Sequence, residues 1–551
     1  MVAMKGTLMS CILAIDQGTT NTKALLVDES GALISRGSVP TGVHYPQPGW
    51  VEQDPREIWH CTLEAIAQCL LRAGSTSSIA ALAIANQRET AMLWDRRTGK
   101  PCGPAVVWQC RRTAPFCREL KAQGLETRLQ TTTGLQVDPM FSGSKIRWLI
   151  DHAPEGTARA VAGELCAGTV DTWLLWNLTA GAVHATDATN ASRTQLMNLA
   201  QLNWDPEILD IFGIPIAALP TVHPSSHIFG ATAPLDLPGG QRLPGGILIG
   251  SLIGDSHASL FGLGGFRAGS VKATYGTGTS LMMPTAETVF SQHGLSTTVA
   301  WVTSEARSRK SQVRESHDSP FTSHETPMNR ESSIVAPPPL ADSPILHSSP
   351  TYALEGNIYS TGGAVDFIGG LLGLEDPGPE VEALARSVES SAGTTFVPAL
   401  VGLGAPHWQE SAQGLITGLT LGIERGHLAR ATLEAIAFQV RDVFDVMQTE
   451  AGTSLQTLLA DGGASRNDLL MQIQADTLGC AVERSRSSEV SPLGAAFLAG
   501  LAVGIWSDES EIAARIPPRD RFEPQMDEAE RRIQYQAWQA AVRRTINGQD
   551  T

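Results

Sequence analysis

Cys11 to Asp28 reads CILAIDQGTTNTKALLVD, and the chain goes on through a turn at ESG to ALISRG, ending at Gly37. Short aliphatic and β-branched runs broken by Gly, Asp and Asn spell antiparallel strands. The loop between the first two strands, DQGTTNTK, runs from Asp16 to Lys23. Glycine at position 18 allows close backbone approach, successive amides can form an anion nest, and the Thr19 and Thr20 hydroxyls add donors. Asp16 stands where the first strand runs out, and its carboxylate is of the type that a hard divalent cation prefers. An ordinary hairpin turn accounts for the same residues, so this loop alone leaves both readings open.

Further along, the pattern returns. SVKATYGTGTSLMM, Ser270 to Met283, is again an apolar strand, a Gly-Thr loop and an apolar strand, with Gly276, Thr277 and Gly278 in the loop. DGGASRND, Asp461 to Asp468, adds two glycines after the strand-like TLLAD and offers Asn467 as a polar contact. Three such loops on strand ends are far more specific than one, and together they suggest a split phosphate site closed by two domains. The runs IAALAIANQ and GGILIGS alternate with helical patterns, which predicts an α/β sheet. The clearest helix is ATLEAIAFQVRDVFDVM, where Leu433, Ile436, Ala437, Val440, Phe444 and Met447 share one face as a core stripe. These features predict two related halves, residues 1–262 and 263–551, with a cleft between them.

The chain has 551 residues, enough for two large domains, and a formal net charge of −16. That charge argues against a nucleic-acid binder, which displays a basic face. Its eight cysteines show no CxxC or other metal-ligand spacing, a pattern that fits buried or surface thiols in a reducing cytosol. The opening MVAMKGTLMSCILAIDQG reads as a strand rather than a targeting segment, and the late apolar run from Leu493 to Trp506 is too short to span a bilayer. The expectation is a cytoplasmic protein with no membrane span. One stretch, 303–350, is rich in Ser, Pro and charge and lacks apolar periodicity. It cannot bury enough apolar surface to offset its ordering entropy, so it is expected to be a disordered insertion.

Standard nucleotide signatures are missing. There is no GxxxxGK[ST] and no HRDxxxxN, and YGTGTSLM lacks the third glycine of GxGxxG. What the chain does resemble is the FGGY family of carbohydrate kinases, over about Ile12 to Ala541. The resemblance rests on DQGTTNTK, YPQPGWVEQDP, NQRET, VWQCRRTA, FSGSK, GTVDTWLLWNLT, TDATNASRT, YALEG, GLGAPHW, DGGASRND and PLGAAFLAG. It implies a two-domain actin-like, ribonuclease-H-type α/β fold with the active site in the interdomain cleft. It also implies ATP and Mg²⁺ as cofactors, a small polyol as substrate and self-association into a homo-oligomer. Thr19, Thr20, Asn21, Lys23, Gly276, Thr277, Gly278, Gly463 and Asn467 then fall at nucleotide positions, and Asp16 at the metal position.

Within the family, the segments NQRET and VWQCRRTA resemble the branch that phosphorylates glycerol. By that resemblance Arg88 and Glu89 bind substrate hydroxyls, Trp108 is an aromatic wall, and Asp255 accepts the proton of the attacking hydroxyl. Each has a plainer reading: Asp255 as a helix N-cap, Arg88 and Glu89 as a solvated ion pair, Trp108 as core. Three positions depart from that branch. Met140 replaces a substrate-contacting tyrosine, Ser256 a hydroxyl-binding glutamine, and Ser280 a phenylalanine. An aromatic-to-serine change vacates volume and adds a polar group, which suits a longer or more hydroxylated substrate. The alternatives to a glycerol-type kinase are a kinase for a longer polyol or ketose of the same family, and a nucleotide-binding regulator that has lost catalysis.

Overall fold

The structure, a computed structural model, describes residues 9–74, 77–267, 269–303, 350–452 and 454–548. Most of the Ser/Pro-rich insertion, residues 304–349, lies outside the described residues. Its flanks are Ser296–Val302 and Pro350–Ile358, antiparallel neighbours in which Val302 pairs with Pro350. The residues on either side of that stretch are therefore neighbours in one sheet.

The opening stretch folds as the sequence predicts. Strand β1 (Met9–Gln17) pairs antiparallel with β2 (Asn21–Asp28), which pairs antiparallel with β3 (Leu33–Pro40). On its other edge β1 runs parallel to β4 (Ser77–Asn86), and the sheet is completed by β5 (Ser226–Ala231) and β6 (Leu248–Gly254) in the order β5-β6-β4-β1-β2-β3. The second sheet repeats this plan. Strands β7 (Val271–Tyr275), β8 (Thr279–Thr285), β9 (Ser296–Val302), β10 (Pro350–Ile358), β11 (Thr457–Asp461), β12 (Ala481–Ser485) and β13 (Arg519–Phe522) lie in the order β9-β10-β8-β7-β11-β12-β13. In both sheets an antiparallel hairpin is followed by two parallel strands and closed by an antiparallel one, so the fold is a duplicated α/β unit with one extra edge strand, β9.

The unbroken apolar run CILAI follows from burial on both faces. Cys11, Leu13 and Ile15 pack on the layer containing helix α1 (Pro55–Ala73), while Ile12 and Ala14 face the opposite layer. That second layer contains α2 (Asp255–Gly262) and also α5 (Val490–Val503), a helix from the far end of the chain whose Phe497 and Leu498 share a core with Ile12 and Ile253. The two halves of the chain thus share one packed layer. A Cβ on Gly494 would sit 1.9 Å from the Ala258 carbonyl oxygen, so α2 and α5 cross in backbone contact that only glycine permits. The predicted core stripe lies on α3 (Arg425–Ala451), with Leu433, Ile436, Val440, Phe444 and Met447 all buried under the second sheet.

The eight cysteines form no disulfide among the described residues, and six of them are buried. Among the described residues no helix is long and apolar enough to cross a membrane.

Candidate active site in the interlobe cleft

Both Gly-Thr turns open onto one cavity of about 450 Å³ between the sheets. Thr19 and Thr20 come from the β1–β2 turn, closed by the Gly18 amide donating to the Asn21 carbonyl (3.0 Å). Gly276, Thr277 and Gly278 come from the equivalent β7–β8 turn. The second turn is zipped to the backbone after β10: Thr361 N–H donates to the Thr277 carbonyl (2.9 Å) and Gly362 N–H to the Gly276 carbonyl (3.0 Å). A Cβ on Gly278 would lie 2.3 Å from the Ile358 carbonyl oxygen, so this approach requires glycine.

The same cavity is lined by Arg88, Glu89, Trp108, Met140, Asp255, Ser256 and Ser280. Every substrate residue predicted from the sequence is therefore brought together, although they are spread over nearly 200 positions. Five predicted residues do not line the cavity. Asp16 and Lys23 lie beside it, 3.9 Å apart, and Lys23 is engaged at 3.0 Å by Glu489. Asn21 donates from Nδ2 to the Thr20 hydroxyl (3.3 Å). Gly463 begins the turn after β11, with open space where a Cβ would stand. Asn467 caps helix α4 (Asp468–Leu478), its Oδ1 accepting from Leu470 N–H at 2.8 Å. One lone pair of that amide oxygen is committed to the helix, and the Nδ2 group stays available for a nucleotide.

Arg88 and Glu89 are not a solvated pair. Both are buried and each turns to other partners. Arg88 reaches Asp255 at 3.3 Å and Glu355 at 2.8 Å; Glu89 meets Arg193 at 2.7 Å; and Arg193 reaches Glu355 at 2.6 Å. The contacts of Glu355 with the two arginines are charge contacts rather than well-aligned hydrogen bonds. Burial alone would raise the Glu355 carboxyl, but Arg193 and Arg88 outweigh it and hold that carboxyl well below the usual range. Glu89 adopts φ of +61°, a left-handed conformation that is costly for a residue with a side chain. It is pinned there by the Ser142 hydroxyl, which donates to its carbonyl (3.1 Å), and by the buried Lys145 ammonium, which donates to the carbonyls of Glu89, Met140 and Phe141. Burial brings Lys145 down to about 8.

Asp255 is the first residue of α2 and not its cap, which is Gly254. Its carboxylate opens to the cleft (39% exposed) but is enclosed by protein elsewhere, and this desolvation raises its pKa against the pull of Arg88. Asp16 is pushed up to about 7 by burial, opposed by Lys23 and reinforced by Asp255 and Glu489. Trp108 is half-buried on Met140 and Phe141, and its indole N–H donates to the Thr19 hydroxyl at 3.0 Å, tying the aromatic wall to the first turn.

Four charged residues at the site were not singled out from the sequence: Arg193, Lys272, Glu355 and Asp461. Arg193 and Glu355 sit inside TDATNASRT and YALEG. A signal was present, because SVKATY and YALEG each place one charge inside a buried strand, where charges occur only when partnered. Lys272 is fully buried, brought down to about 8 by desolvation, and donates to the Ser256 and Thr274 hydroxyls and the Ser280 carbonyl.

Two lobes of repeated topology, each contributing a Gly-Thr turn to one carboxylate-bearing cavity, define a two-lobed phosphotransferase of actin-like architecture. Comparison with known proteins narrows this class. Models of the N-terminal and C-terminal domains of the FGGY family of carbohydrate kinases match residues 11–262 and 321–503, and the chain belongs to that family. It is 44% identical over 540 residues to glycerol kinase 2 of Thermotoga maritima, covering 98% of this chain and 99% of that one. To the glycerol kinase of Caldanaerobacter subterraneus it is 43% identical, covering 97% and 98% of the two chains. Among solved structures, Plasmodium falciparum glycerol kinase with ADP superposes with a TM-score of 0.82 at 33% identity over 98% of both chains. A gluconate kinase from Lactobacillus acidophilus shares the fold at 20% identity, with a TM-score of 0.76 over 97% of both chains.

Proposed function

We propose that this protein transfers the γ-phosphoryl group of ATP to a terminal hydroxyl of glycerol or a closely related polyol, releasing ADP. The observation that carries the reading is the Asp255 carboxylate, held beside Arg88 in a cavity that also opens to the Gly276–Gly278 turn. The names of the similar proteins and the ADP in the Plasmodium structure support it. The working lobes are residues 1–262 and 263–551, a division supported by the spans of the two family models.

Asp255 accepts the proton of the attacking hydroxyl as the new O–P bond forms, and Arg88 and Glu89 orient the polyol. Trp108 walls its carbon chain. Thr20 and Thr277 offer hydroxyl and backbone donors to phosphate oxygens, and Thr19, whose hydroxyl proton goes to Gln87 Oε1 at 3.3 Å, offers its backbone. The oxygen donor Asp16 fits Mg²⁺, and a carboxylate raised to about 7 is one whose charge a cation relieves. Bound Mg·ATP supplies the electrophilic phosphorus and a leaving group whose charge is partly neutralised.

The test is ADP release with Mg·ATP in the presence of glycerol and a panel of polyols. Turnover well above the rate with ATP alone is expected, and no stimulation by any acceptor overturns the reading. The pH profile carries a second expectation. Only the ionised Asp255 can accept a proton, so kcat/KM for the acceptor falls about tenfold per pH unit on the acid side. Because its pKa is raised, that limb lies above the ordinary value of 3.8. Asp16 and Asp255 interact, so the apparent pKa belongs to the pair. A limb at or below 3.8 contradicts Asp255 as the base.

A further inference from the structure

The floor of the cleft carries a hydrogen-bond chain whose direction is fixed at both ends. Lys272 Nζ donates to Ser256 Oγ; Ser256 Oγ lies 2.8 Å from Ser280 Oγ; and Ser280 Oγ donates to Glu355 Oε1 at 2.8 Å. An ammonium group can only donate and a carboxylate can only accept, so each serine accepts one bond and passes its single proton onward. The remaining Lys272 protons go to Thr274 Oγ1 (2.9 Å) and the Ser280 carbonyl (3.3 Å), and Thr274 passes its proton to Asp461 at 2.5 Å. Neither serine has a proton left for a ligand. Each keeps one lone pair, and both line the cavity.

The missing donor stands across the strand. Asn357 on β10 is the register partner of Ser280 on β8, and directly opposed residues of an antiparallel pair point to one face. Asn357 also lines the cavity, and its buried Nδ2 has no hydrogen-bond partner among the described residues. A serine lone pair beside an unspent amide donor matches a hydroxyl, which gives one proton and takes another. A carbonyl or carboxylate has no proton for the serine and leaves it unmatched. The reading above gives glycerol's hydroxyls to Asp255, Arg88 and Glu89, so a hydroxyl held by the serines and Asn357 in the same cavity is a further one.

Resting on the polyol-kinase reading above, we propose that Ser256, Ser280 and Asn357 form a subsite for a further hydroxyl, and that the preferred acceptor is an open-chain alditol of four or five carbons. Glycerol is then a smaller, poorer substrate. Ketoses and aldonates are discriminated against when they carry a carbonyl or carboxylate at that station.

The experiment is steady-state ADP release by the full chain with glycerol, erythritol, ribitol and xylitol, alongside erythrulose, xylulose and gluconate. The expected result is a kcat/KM for at least one alditol above that for glycerol, and above that for the ketose or aldonate panel. In Asn357→Ala and Ser280→Ala the alditol-to-glycerol ratio of kcat/KM drops about five- to tenfold, the size of one lost hydrogen bond. Glycerol outrunning every alditol, a ketose outrunning its matching alditol, or an unchanged ratio in both variants overturns the subsite while the kinase reading stands. No ADP release with any acceptor overturns the kinase reading itself.

Discussion

Asp255→Asn lowers kcat by about 10²–10⁴-fold, the usual effect of removing a positioned general base, while the protein stays folded. The exchange is isosteric, and the amide oxygen can still accept from Ser256 N–H, which now lies 2.6 Å from Oδ1. A negative charge in the first turn of α2 is lost, worth about 0.3–1 kcal/mol through the helix dipole and too little to unfold the chain. Arg88 keeps Glu355 as its partner at 2.8 Å, so the guanidinium that orients the acceptor is not released. What disappears is the only function of the carboxylate that an amide cannot copy, taking up a proton. The part of the acid limb that belongs to Asp255 disappears with it. Measuring kcat, acceptor KM and the pH profile on one preparation separates these effects, and turnover within a few fold of the parent protein refutes the assignment.

Much of this geometry is legible in the sequence. Strand-turn-strand units at Cys11–Asp28 and Ser270–Met283 are local patterns, with each turn announced by glycine and threonine, and they folded as read. Their equivalence as two copies of one sheet plan follows, because the same hairpin precedes two parallel strands in both halves. The cleft was inferred from three loops, and two of them, the β1–β2 and β7–β8 turns, line it.

What local pattern could not supply is who meets whom across the chain. Glu355 and Arg193 are far apart in sequence, and nothing in YALEG says that its carboxylate lies against two guanidinium groups from the other lobe. The run from Val490 to Val503 is apolar all round, a sign of burial on every side, but which sheet receives it depends on the whole topology. Asn467 shows a different limit. Its position before Asp-Leu-Leu is an N-cap signature, and the cap competes directly with the role of nucleotide contact. The departures at Ser256 and Ser280 were visible as substitutions that vacate volume. Their consequence, a chain with a fixed proton direction, needed Lys272 and Glu355 in place at its two ends.

Glu355→Gln tests that buried centre most severely. Glu355 is fully buried on β10 of the second sheet, and its partners Arg88 and Arg193 belong to the first lobe, so one carboxylate touches two buried guanidinium groups across the lobe boundary, beside Asp255 on Arg88 and Glu89 on Arg193. Removing one member of a buried ion cluster costs about 3–5 kcal/mol where a charge is left unpaired, and because Asp255 and Glu89 stay on the two arginines the loss is expected toward the lower end of that range. Glutamine preserves shape, so the loss reads out charge rather than packing. The variant is expected to unfold at clearly lower denaturant concentration, and its acceptor KM should rise because Arg88 loses the contact that aims it. A further effect follows from the chemistry of the amide. Its NH₂ group can donate to Ser280, which releases the proton order along the floor and lets the serine hydroxyls turn toward a ligand. Discrimination between alditols and ketoses should therefore narrow in the surviving activity. Glu355→Asp, which keeps the charge on a shorter arm, should recover part of the stability but less of the acceptor affinity, since Arg88 and Arg193 would no longer be spanned together. Unfolding and acceptor KM both unchanged in Glu355→Gln would show that Asp255 and Glu89 suffice as counter-charges for the two arginines, and that Glu355 does not join the lobes.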